Sequence, residues 1–453
     1  MFSLFARFEF FAFSRGCNKI CPMARPANPK PKTRNPKLLV ELLLSWFAAN
    51  ARDLPWRRTR DPYAIWVSEI MLQQTQVKTV MPYWERWMRE LPTIASLAKA
   101  SPEKIHKLWE GLGYYTRVRN MQKAAQEIVA KNKIDVYAGP HPSPLPRGEG
   151  ETLERCRKAH CGKTQSNTSR MPNSDGASKD PGSIVDGPQF PNSFEEVLAL
   201  PGIGRYTAGA ICSIAFNQPT PILDGNVIRV LTRIFGIAEN PREKKTNAEL
   251  WAIAQQLVTH AAIGNWQSAI GNPKSPACSH LNQSLMELGA LICTPRDPKC
   301  LVCPVSKHCF AFRNQRVNDF PNLDKRPTAT ARRFAAFVVE SRGNFLVRQR
   351  PAGTVNAHLW EFPNIELNGA PANLTAAARE LLGFAPKELK PLCTIKHTIT
   401  RYRITVETFR VGTNVTHGIH RSEGTWLPLS ELHKLSFPSA HKKILNSLQA
   451  ARS

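Results

Sequence analysis

The sequence of 453 residues lacks any run of about 20 apolar residues, the length that a membrane-spanning helix requires. It is also poor in acidic residues, with 35 aspartates and glutamates against 61 lysines and arginines, so its formal net charge is +26. Such an excess of positive charge favours a polyanionic partner, to which binding weakens as the salt concentration rises. We therefore expect no membrane association and a nucleic acid as the partner.

The first 34 residues lack the small-residue cleavage site of a secretory signal, and Arg7 and Glu9 interrupt their apolar part. We expect residues 1–34 to be a disordered N-terminal extension, with a transit peptide or true initiation near Met23 as the alternatives. Four of the eleven cysteines lie in one tight cluster, which favours a metal or cluster site in a reducing compartment over disulfides. The expected compartment is the cytoplasm.

A Gly-rich turn, Pro201-Gly202-Ile203-Gly204, separates two apolar helical patterns near the middle of the chain. Its glycines allow a tight turn that aims free N–H groups outward at the start of the second helix, where phosphate binds well. Asp224 follows within Leu-Asp-Gly-Asn-Val. One interpretation is a helix–hairpin–helix that holds a DNA backbone and delivers an acid to the neighbouring sugar. The other is an αα-hairpin packed for stability.

Helical spacing of apolar residues predicts a first helix over residues 36–50. Asp61 and Pro62 predict the start of a second, which continues through YAIWVSEIMLQQTQVKTV. On this second helix Glu69 shares a face with large apolar side chains. Desolvation there should raise the pKa of Glu69, as a general acid requires. An ordinary surface glutamate is the alternative.

A further amphipathic pattern predicts one helix over residues 91–110, followed by the turn Gly111-Leu112-Gly113-Tyr114-Tyr115 and three basic residues. Aromatic rings beside basic side chains at a helix start suit stacking on bases or wedging into an opened duplex. Packing without any functional role explains the same residues equally well.

Four cysteines, Cys293, Cys300, Cys303 and Cys309, have the spacing C-x6-C-x2-C-x5-C. Four thiolates this close predict a site with four cysteine ligands. The spacing alone fits a [4Fe–4S] cluster or zinc.

The pattern changes period in the last third of the chain, where short apolar runs bounded by Gly, Asn and Pro predict strands near residues 334–339, 345–347 and 403–406. Asn373 is placed to cap a short helix over residues 374–382. These patterns predict a helical core over residues 35–313, a linker over 314–330 and an α+β domain over 331–446. A polar stretch at about 139–188 is predicted to be a disordered insertion within the core.

Five ordered motifs, SEIMLQQTQV, GLGYYTRVRN, LPGIGRYTAG, ILDGNVIRV and the four-cysteine loop, resemble those of the MutY-type adenine DNA glycosylases in the endonuclease III-like superfamily. The resemblance implies a mainly α catalytic core, with a helix–hairpin–helix and a [4Fe–4S] loop at 293–309, joined to a C-terminal α+β Nudix-like domain. It also implies a monomeric base-excision repair enzyme of the bacterial nucleoid. Its substrate would be adenine mispaired with 8-oxoguanine or guanine in double-stranded DNA.

The resemblance also implies roles for individual residues. Glu69 corresponds to the acid that protonates the adenine, and Asp224 to the carboxylate that stabilises the sugar cation or its covalent adduct. Asn226 would orient Asp224, and Tyr206 would lie at the catalytic pocket. The residues implied to contact DNA are Gln74, Tyr114, Gly202, Gly204 and Thr400, and the four clustered cysteines would hold the [4Fe–4S] cluster.

At two places this sequence differs from the motifs of related families, and both differences bear on function. The endonuclease III branch has a lysine where this sequence has Tyr206, which cannot form a Schiff base. We therefore expect a monofunctional glycosylase. Ile399-Thr400-Arg401 stands where the family often has Phe-Ser-His. The alternatives are an endonuclease III-type pyrimidine glycosylase/lyase and a non-catalytic DNA-binding scaffold with a structural metal loop.

Overall fold

A computed structural model describes residues 35–137, 188–266, 276–324, 328–367, 373–399, 401–412 and 424–450. The predicted extension over 1–34, the predicted insertion up to residue 187, and Thr400 lie outside the described residues. None of the described helices is both long and apolar enough to cross a bilayer.

The described N-terminal two thirds of the chain are helical. The helices are α1 (Pro36–Asn50), α2 (Pro62–Leu72), α3 (Val77–Glu90), α4 (Ile94–Lys99), α5 (Pro102–Trp109), α6 (Thr116–Tyr137), α7 (Phe194–Leu198), α8 (Arg205–Phe216), α9 (Gly225–Phe235), α10 (Lys244–Ile263), α11 (Ala277–Leu291) and α12 (Phe310–Arg313).

The second predicted helix begins where its cap was expected, because the Asp61 carboxylate accepts hydrogen bonds from the N–H groups of Tyr63 at 3.0 Å and Ala64 at 3.3 Å. The prediction that it continues through VKTV is wrong: α2 ends at Leu72. Gln74 adopts a φ of 60°, a left-handed conformation that an α-helix cannot contain. The chain therefore turns at Gln74 and starts α3 in a new direction.

The single helix predicted over residues 91–110 is also wrong, because the chain forms α4 and α5 there. Pro102 has no N–H to donate and its ring would clash with the preceding helical turn. It therefore starts a new helix, and the Ser101 hydroxyl caps that helix by accepting from the N–H of Lys104 at 3.2 Å.

The helices form two lobes with separate apolar cores. The first packs α2 to α6 around three fully buried tryptophans, Trp66, Trp87 and Trp109. In the second, α1, α9, α10 and α11 contribute to a common apolar core. Helix α8 belongs to both lobes, since Ile211 lies in the first core and Ala210 in the second. A cleft therefore remains between α2 on one side and the start of α9 on the other.

The C-terminal part is a mixed sheet with helices on both faces. Its strands are β1 (Thr330–Ser341), β2 (Asn344–Gln349), β3 (Trp360–Glu361), β4 (Asn364–Glu366), β5 (Glu388–Ile399), β6 (Tyr402–Gly412) and β7 (Thr425–Pro428), and its helices are α13 (Leu374–Leu382), α14 (Leu429–Leu432) and α15 (Ser439–Ala450).

The order along the sheet is β3-β2-β1-β6-β5, with β4 paired to β1 and β7 to β2. Central strands β1 and β6 run parallel, with Phe334 opposite Val406. One apolar core lies beneath α15 and the other beneath α13. The predicted strands and the α13 helix are confirmed, including its cap, where Asn373 accepts from the N–H of Ala376 at 3.1 Å.

The segment after α12 differs from the predicted linker. Phe320 is buried and its ring packs edge-on against Phe310 at 6.1 Å. The buried Arg233 side chain donates through Nε to the carbonyl oxygens of Val317 and Phe320, at 3.1 and 3.0 Å. Because a buried guanidinium requires acceptors, this stretch is held against the helical core.

Candidate active site

A cavity of about 560 Å³ lies in the cleft between the two helical lobes, within the range of roughly 300–1000 Å³ typical of small-molecule sites. Five predicted site residues line it: Glu69, Gln74, Tyr206, Asp224 and Asn226. The fold therefore gathers side chains from α2, the turn after α2, α8 and the start of α9. Tyr114, Gly202, Gly204 and the four clustered cysteines lie elsewhere.

Glu69 is buried on α2, with 5% of its surface exposed, so the burial expected from its helix face is confirmed. Its Oε2 accepts a hydrogen bond of 2.8 Å from the hydroxyl of Tyr206. Burial raises the pKa of Glu69 to about 7, against the opposing effect of that hydrogen bond and with help from the negative charge of Asp224. Near neutral pH this carboxyl exists in both protonated and ionised forms.

Asp224 has a different environment because it is the N-cap of α9. Its Oδ1 accepts from the N–H of Val227 at 2.7 Å, and its Oδ2 accepts from Asn226 Nδ2 at 2.9 Å. Burial raises the pKa of Asp224, while these two hydrogen bonds oppose the rise because they favour the ionised form. The sequence places the carboxylate here because Asp is a preferred N-cap residue.

The orientation of Asp224 is supported by a chain of contacts that leads away from the cavity. Asn226 donates to Asp224 and accepts from Arg229 Nη2 at 2.9 Å. Arg229 also donates to the carbonyl oxygens of Gly289 and Cys293, both at 2.7 Å. The position of the carboxylate is therefore tied to α11 and to the start of the cysteine loop.

Tyr206 connects the two sides of the cavity. Its hydroxyl lies 2.8 Å from Glu69 Oε2 and 3.2 Å from Met286 Sδ. Burial and the nearby carboxylates hold the pKa of Tyr206 well above its usual value, so the side chain stays a neutral phenol that donates its proton to Glu69 in a hydrogen bond.

Sequence reasoning missed a second charged group in the same cavity, formed by Glu287, Arg52 and Arg57. The Glu287 carboxylate is 1% exposed and accepts from Arg52 Nε and Nη2, both at 2.7 Å, and from Arg57 Nη2 at 2.9 Å. Burial alone would raise the pKa of Glu287, but the hydrogen bonds from both arginines lower it to about 2. The arginines stand out in the sequence only as part of a basic stretch, and nothing local links them to a glutamate on α11.

The Gly-rich turn lies outside the cavity, at the start of α8. Gly202 has a φ of +77°, and a Cβ there would lie 2.6 Å from Asn120 Cβ, so glycine is required both by backbone conformation and by space. Gly204 is the N-cap of α8 and has no side chain to satisfy the first N–H groups of the helix. These groups are therefore available to an external acceptor.

Gln74 and Tyr114 lie in two turns with left-handed backbone, at φ values of 60° and 48°. Gln74 lines the cavity. The Tyr114 ring is 43% exposed and lies 5.6 Å from the guanidinium carbon of Arg117. An exposed aromatic ring held on a strained turn can contact a ligand without losing core packing.

The four clustered cysteines line a second, small cavity next to Arg233 and are not joined by disulfides. Arg233 Nη1 donates to Cys293 Sγ at 3.3 Å, and Cys309 Sγ donates to the carbonyl oxygen of Arg233 at 3.4 Å. Within the described part of the chain, no three acidic, histidine or cysteine side chains lie close enough together to hold a single metal ion. The four clustered cysteines lie around the small second cavity.

Comparisons with known proteins agree with this two-part architecture. A family model described as HhH-GPD superfamily base excision DNA repair protein matches residues 67–256, and a NUDIX domain model matches residues 335–447. The adenine DNA glycosylase of Rattus norvegicus is 32% identical over 468 residues, which covers 90% of this chain and 78% of that protein.

Two further relatives have the same name. The adenine DNA glycosylase of Homo sapiens is 31% identical over 474 residues, covering 90% of this chain and 73% of that protein. The protein from Arabidopsis thaliana is 34% identical over 399 residues, covering 78% of this chain and 52% of its own length, so this chain spans about half of that relative.

Proposed function

The chain belongs to the adenine DNA glycosylase family, and from this premise we propose that it hydrolyses the N-glycosidic bond of adenine mispaired with 8-oxoguanine or guanine in duplex DNA. The observation that carries the proposal is the cavity shared by Glu69 and Asp224, two carboxyl groups with different hydrogen-bond environments. Its place of action would be the cytoplasm, on nucleoid DNA, as a monomer.

The reaction needs a proton for the departing base and negative charge beside the oxocarbenium-like sugar. Glu69, whose pKa is about 7, is suited to donate the proton to an adenine ring nitrogen. Asp224 accepts two hydrogen bonds that favour its ionised form and is suited to stabilise the sugar cation. Two carboxyl groups whose environments differ in this way divide the acid and anion roles, as in sugar hydrolases.

The adenine must leave the base stack to reach this cavity, which costs a few kcal/mol and less at a mispair. The N–H groups at the start of α8 suit a DNA phosphate. Gln74, which lines the cavity, and the exposed Tyr114 suit the space that the extruded base leaves. On the basis of the sequence resemblance, Thr400 is proposed to contact the base opposite the adenine.

We propose that the cysteine loop holds a [4Fe–4S] cluster. The four cysteine side chains line one shared space, and soft thiolates are the ligands that iron–sulfur clusters require. When bound, the cluster would supply metal–thiolate bonds that link the ends of the loop. Arg233 donates a hydrogen bond to Cys293 Sγ, the kind of contact that stabilises a thiolate ligand.

Tyr206 supports a monofunctional glycosylase over a glycosylase/lyase. A phenol that donates to Glu69 and has a strongly raised pKa has no nucleophilic nitrogen with which to form a Schiff base. The enzyme should therefore leave an abasic strand intact.

The test is a single-turnover glycosylase assay on duplexes with adenine opposite 8-oxoguanine, guanine or cytosine. We expect adenine release from the first two duplexes and little from the third. Borohydride added during the reaction should trap no efficient covalent complex with DNA. Equal release from all three duplexes would contradict the mispair specificity, and efficient trapping would favour the lyase alternative.

A further inference from the structure

The C-terminal sheet domain touches the helical core on both sides of the turn that carries Tyr114. Before the turn, Lys107 and Glu110 at the end of α5 reach the segment between α14 and α15. After the turn, Arg119 Nη1 on α6 donates to the carbonyl oxygen of Ala357 at 3.1 Å. Leu359, from the same loop as Ala357, is buried in the core of the first helical lobe.

Lys107 has all three of its ammonium donors directed at acceptors. They lie within 3.0 Å of the carbonyl oxygens of His433 and Leu435 and of Glu110 Oε2. An ammonium has three N–H donors, so the group is saturated, and two of its three bonds cross between the domains. Hydrogen bonds from a charged donor are stronger than those between neutral groups.

Glu110 completes the contact from the opposite direction. Its side chain is 13% exposed; Oε1 accepts from the N–H of Phe437 at 3.1 Å, and Oε2 lies 3.3 Å from Lys442 Nζ. The Glu110 backbone is fixed as well, because its carbonyl oxygen accepts from the hydroxyl of Tyr83 at 2.9 Å. The C-terminal domain is thus attached to the residue next to the turn Gly111–Tyr115.

We propose that Lys107 and Glu110 are positioning residues, which latch the C-terminal domain against the turn carrying Tyr114 and thereby set selectivity for the base opposite the adenine. This inference rests on the proposed function, in which the helical core holds the extruded adenine and the C-terminal domain contacts the opposite base. If the two tasks lie on two domains, selectivity requires a fixed distance between them. The latch supplies that distance without contacting the catalytic cavity.

The test compares Lys107→Met, which removes the donors, with Lys107→Arg, which keeps a charged donor, and with Lys104→Met as a matched control. Lys104 lies on the same helix, but its ammonium contacts Glu90 of the helical core and, among the described residues, no acceptor of the C-terminal domain. Single-turnover rates are measured on duplexes with adenine opposite 8-oxoguanine and opposite guanine. Small-angle X-ray scattering of the free full-length proteins reports the domain arrangement independently of activity.

For Lys107→Met we expect the preference for the 8-oxoguanine duplex over the guanine duplex to fall about tenfold, as the loss of charge-assisted hydrogen bonds predicts, and the radius of gyration to increase. Lys107→Arg should recover part of the duplex preference and part of the decrease in radius of gyration, and Lys104→Met should match the wild type in both quantities. An unchanged preference in Lys107→Met, or an equal loss in Lys104→Met, would overturn the latch. If the wild type released no adenine from either duplex, the proposed function would fail, and an unchanged scattering curve for Lys107→Met would separately overturn the latch.

Discussion

The hydroxyl of Tyr206 donates a 2.8 Å hydrogen bond to Glu69 Oε2 and so joins α8 to α2 across the cleft. No other hydrogen bond to the Glu69 carboxylate is present among the described residues, whereas Asp224 accepts from Val227 and Asn226. A buried carboxyl with a single donor is the easier of the two to protonate. This difference supports the proposed roles, in which Glu69 is the proton donor and Asp224 the anion.

Replacement of Asp224 should stop adenine release but should leave the binding of mispaired DNA intact. We expect Asp224→Asn to lower the single-turnover rate of adenine release by at least about 10²-fold, because it removes the charge that stabilises the sugar cation. The amide can still accept from the N–H of Val227, so α9 should keep its cap. Mispair affinity, measured by a gel-shift titration, should stay within about threefold of the wild type, and normal turnover by this variant would refute the assigned mechanism.

The rate of adenine release should depend on pH through Glu69. Since the acid acts in its protonated form and its pKa is about 7, the rate should fall about tenfold per pH unit above neutrality. Tyr206→Phe removes a hydrogen bond that lowers this pKa, so the falling limb of the profile should move to higher pH. A limb that moves to lower pH in single-turnover measurements would contradict the role given to the Tyr206 hydroxyl.

Burial of the Glu69 carboxyl should lower the free energy of unfolding at pH values above the ordinary pKa of a glutamate. The folded state holds a proton on Glu69 up to about pH 7, whereas an unfolded glutamate loses it near pH 4.5. Between these pH values the unfolded state therefore binds fewer protons than the folded state. The free energy of unfolding consequently falls as the pH rises from 4.5 to 7. Glu69→Gln should raise the free energy of unfolding by about 3 kcal/mol at pH 8 relative to its effect at pH 4. Urea unfolding at both pH values tests this, and an equal effect at both would show that the raised pKa is wrong.

The charged group formed by Glu287, Arg52 and Arg57 in the cavity wall should be important for stability. Glu287→Gln leaves Arg52 and Arg57 without their counter-charge, which should lower the free energy of unfolding by about 3 kcal/mol at pH 7. The uncompensated charge of Arg57 should also lower the pKa of Glu69 and move the alkaline limb of the rate profile to lower pH. Asp53→Asn, which breaks the exposed pair with Arg58, is the control and should change neither quantity measurably.

Loss of one cluster ligand should be visible in the metal content. We expect the purified wild type to contain iron and acid-labile sulfide in equal amounts and Cys303→Ser to lose most of both, because a serine hydroxyl is a poor substitute for a soft thiolate ligand. Cys393→Ser, which changes a cysteine of β5 outside the loop, should keep the wild-type content. One zinc per chain and no iron would refute the proposed cluster.

Much of the local structure was predictable. The caps at Asp61 and Asn373 and the strands near residues 334–339 follow from neighbouring residues, and their positions agree with the structure. The two errors in the helices, at Gln74 and Pro102, share a cause: apolar residues recur at helical spacing before and after each site, but the backbone does not continue as one helix. The periodicity of apolar residues predicts which face of a helix is buried, but it does not predict whether the helix ends and a new one starts in another direction.

Some features of the site depend on residues within one or two turns of chain and can be read from the sequence: the Asp224 cap, the cysteine spacing, the Gly-rich turn and the apolar face that buries Glu69. Which distant charges meet depends on the packing of the whole chain, as when Glu287 neutralises Arg52 and Arg57 from 230 or more positions away. Caps and helix faces depend on residues a few positions apart, whereas the pairing of buried charges depends on how whole helices pack. The burial that raises the pKa of Glu69 is set by that packing.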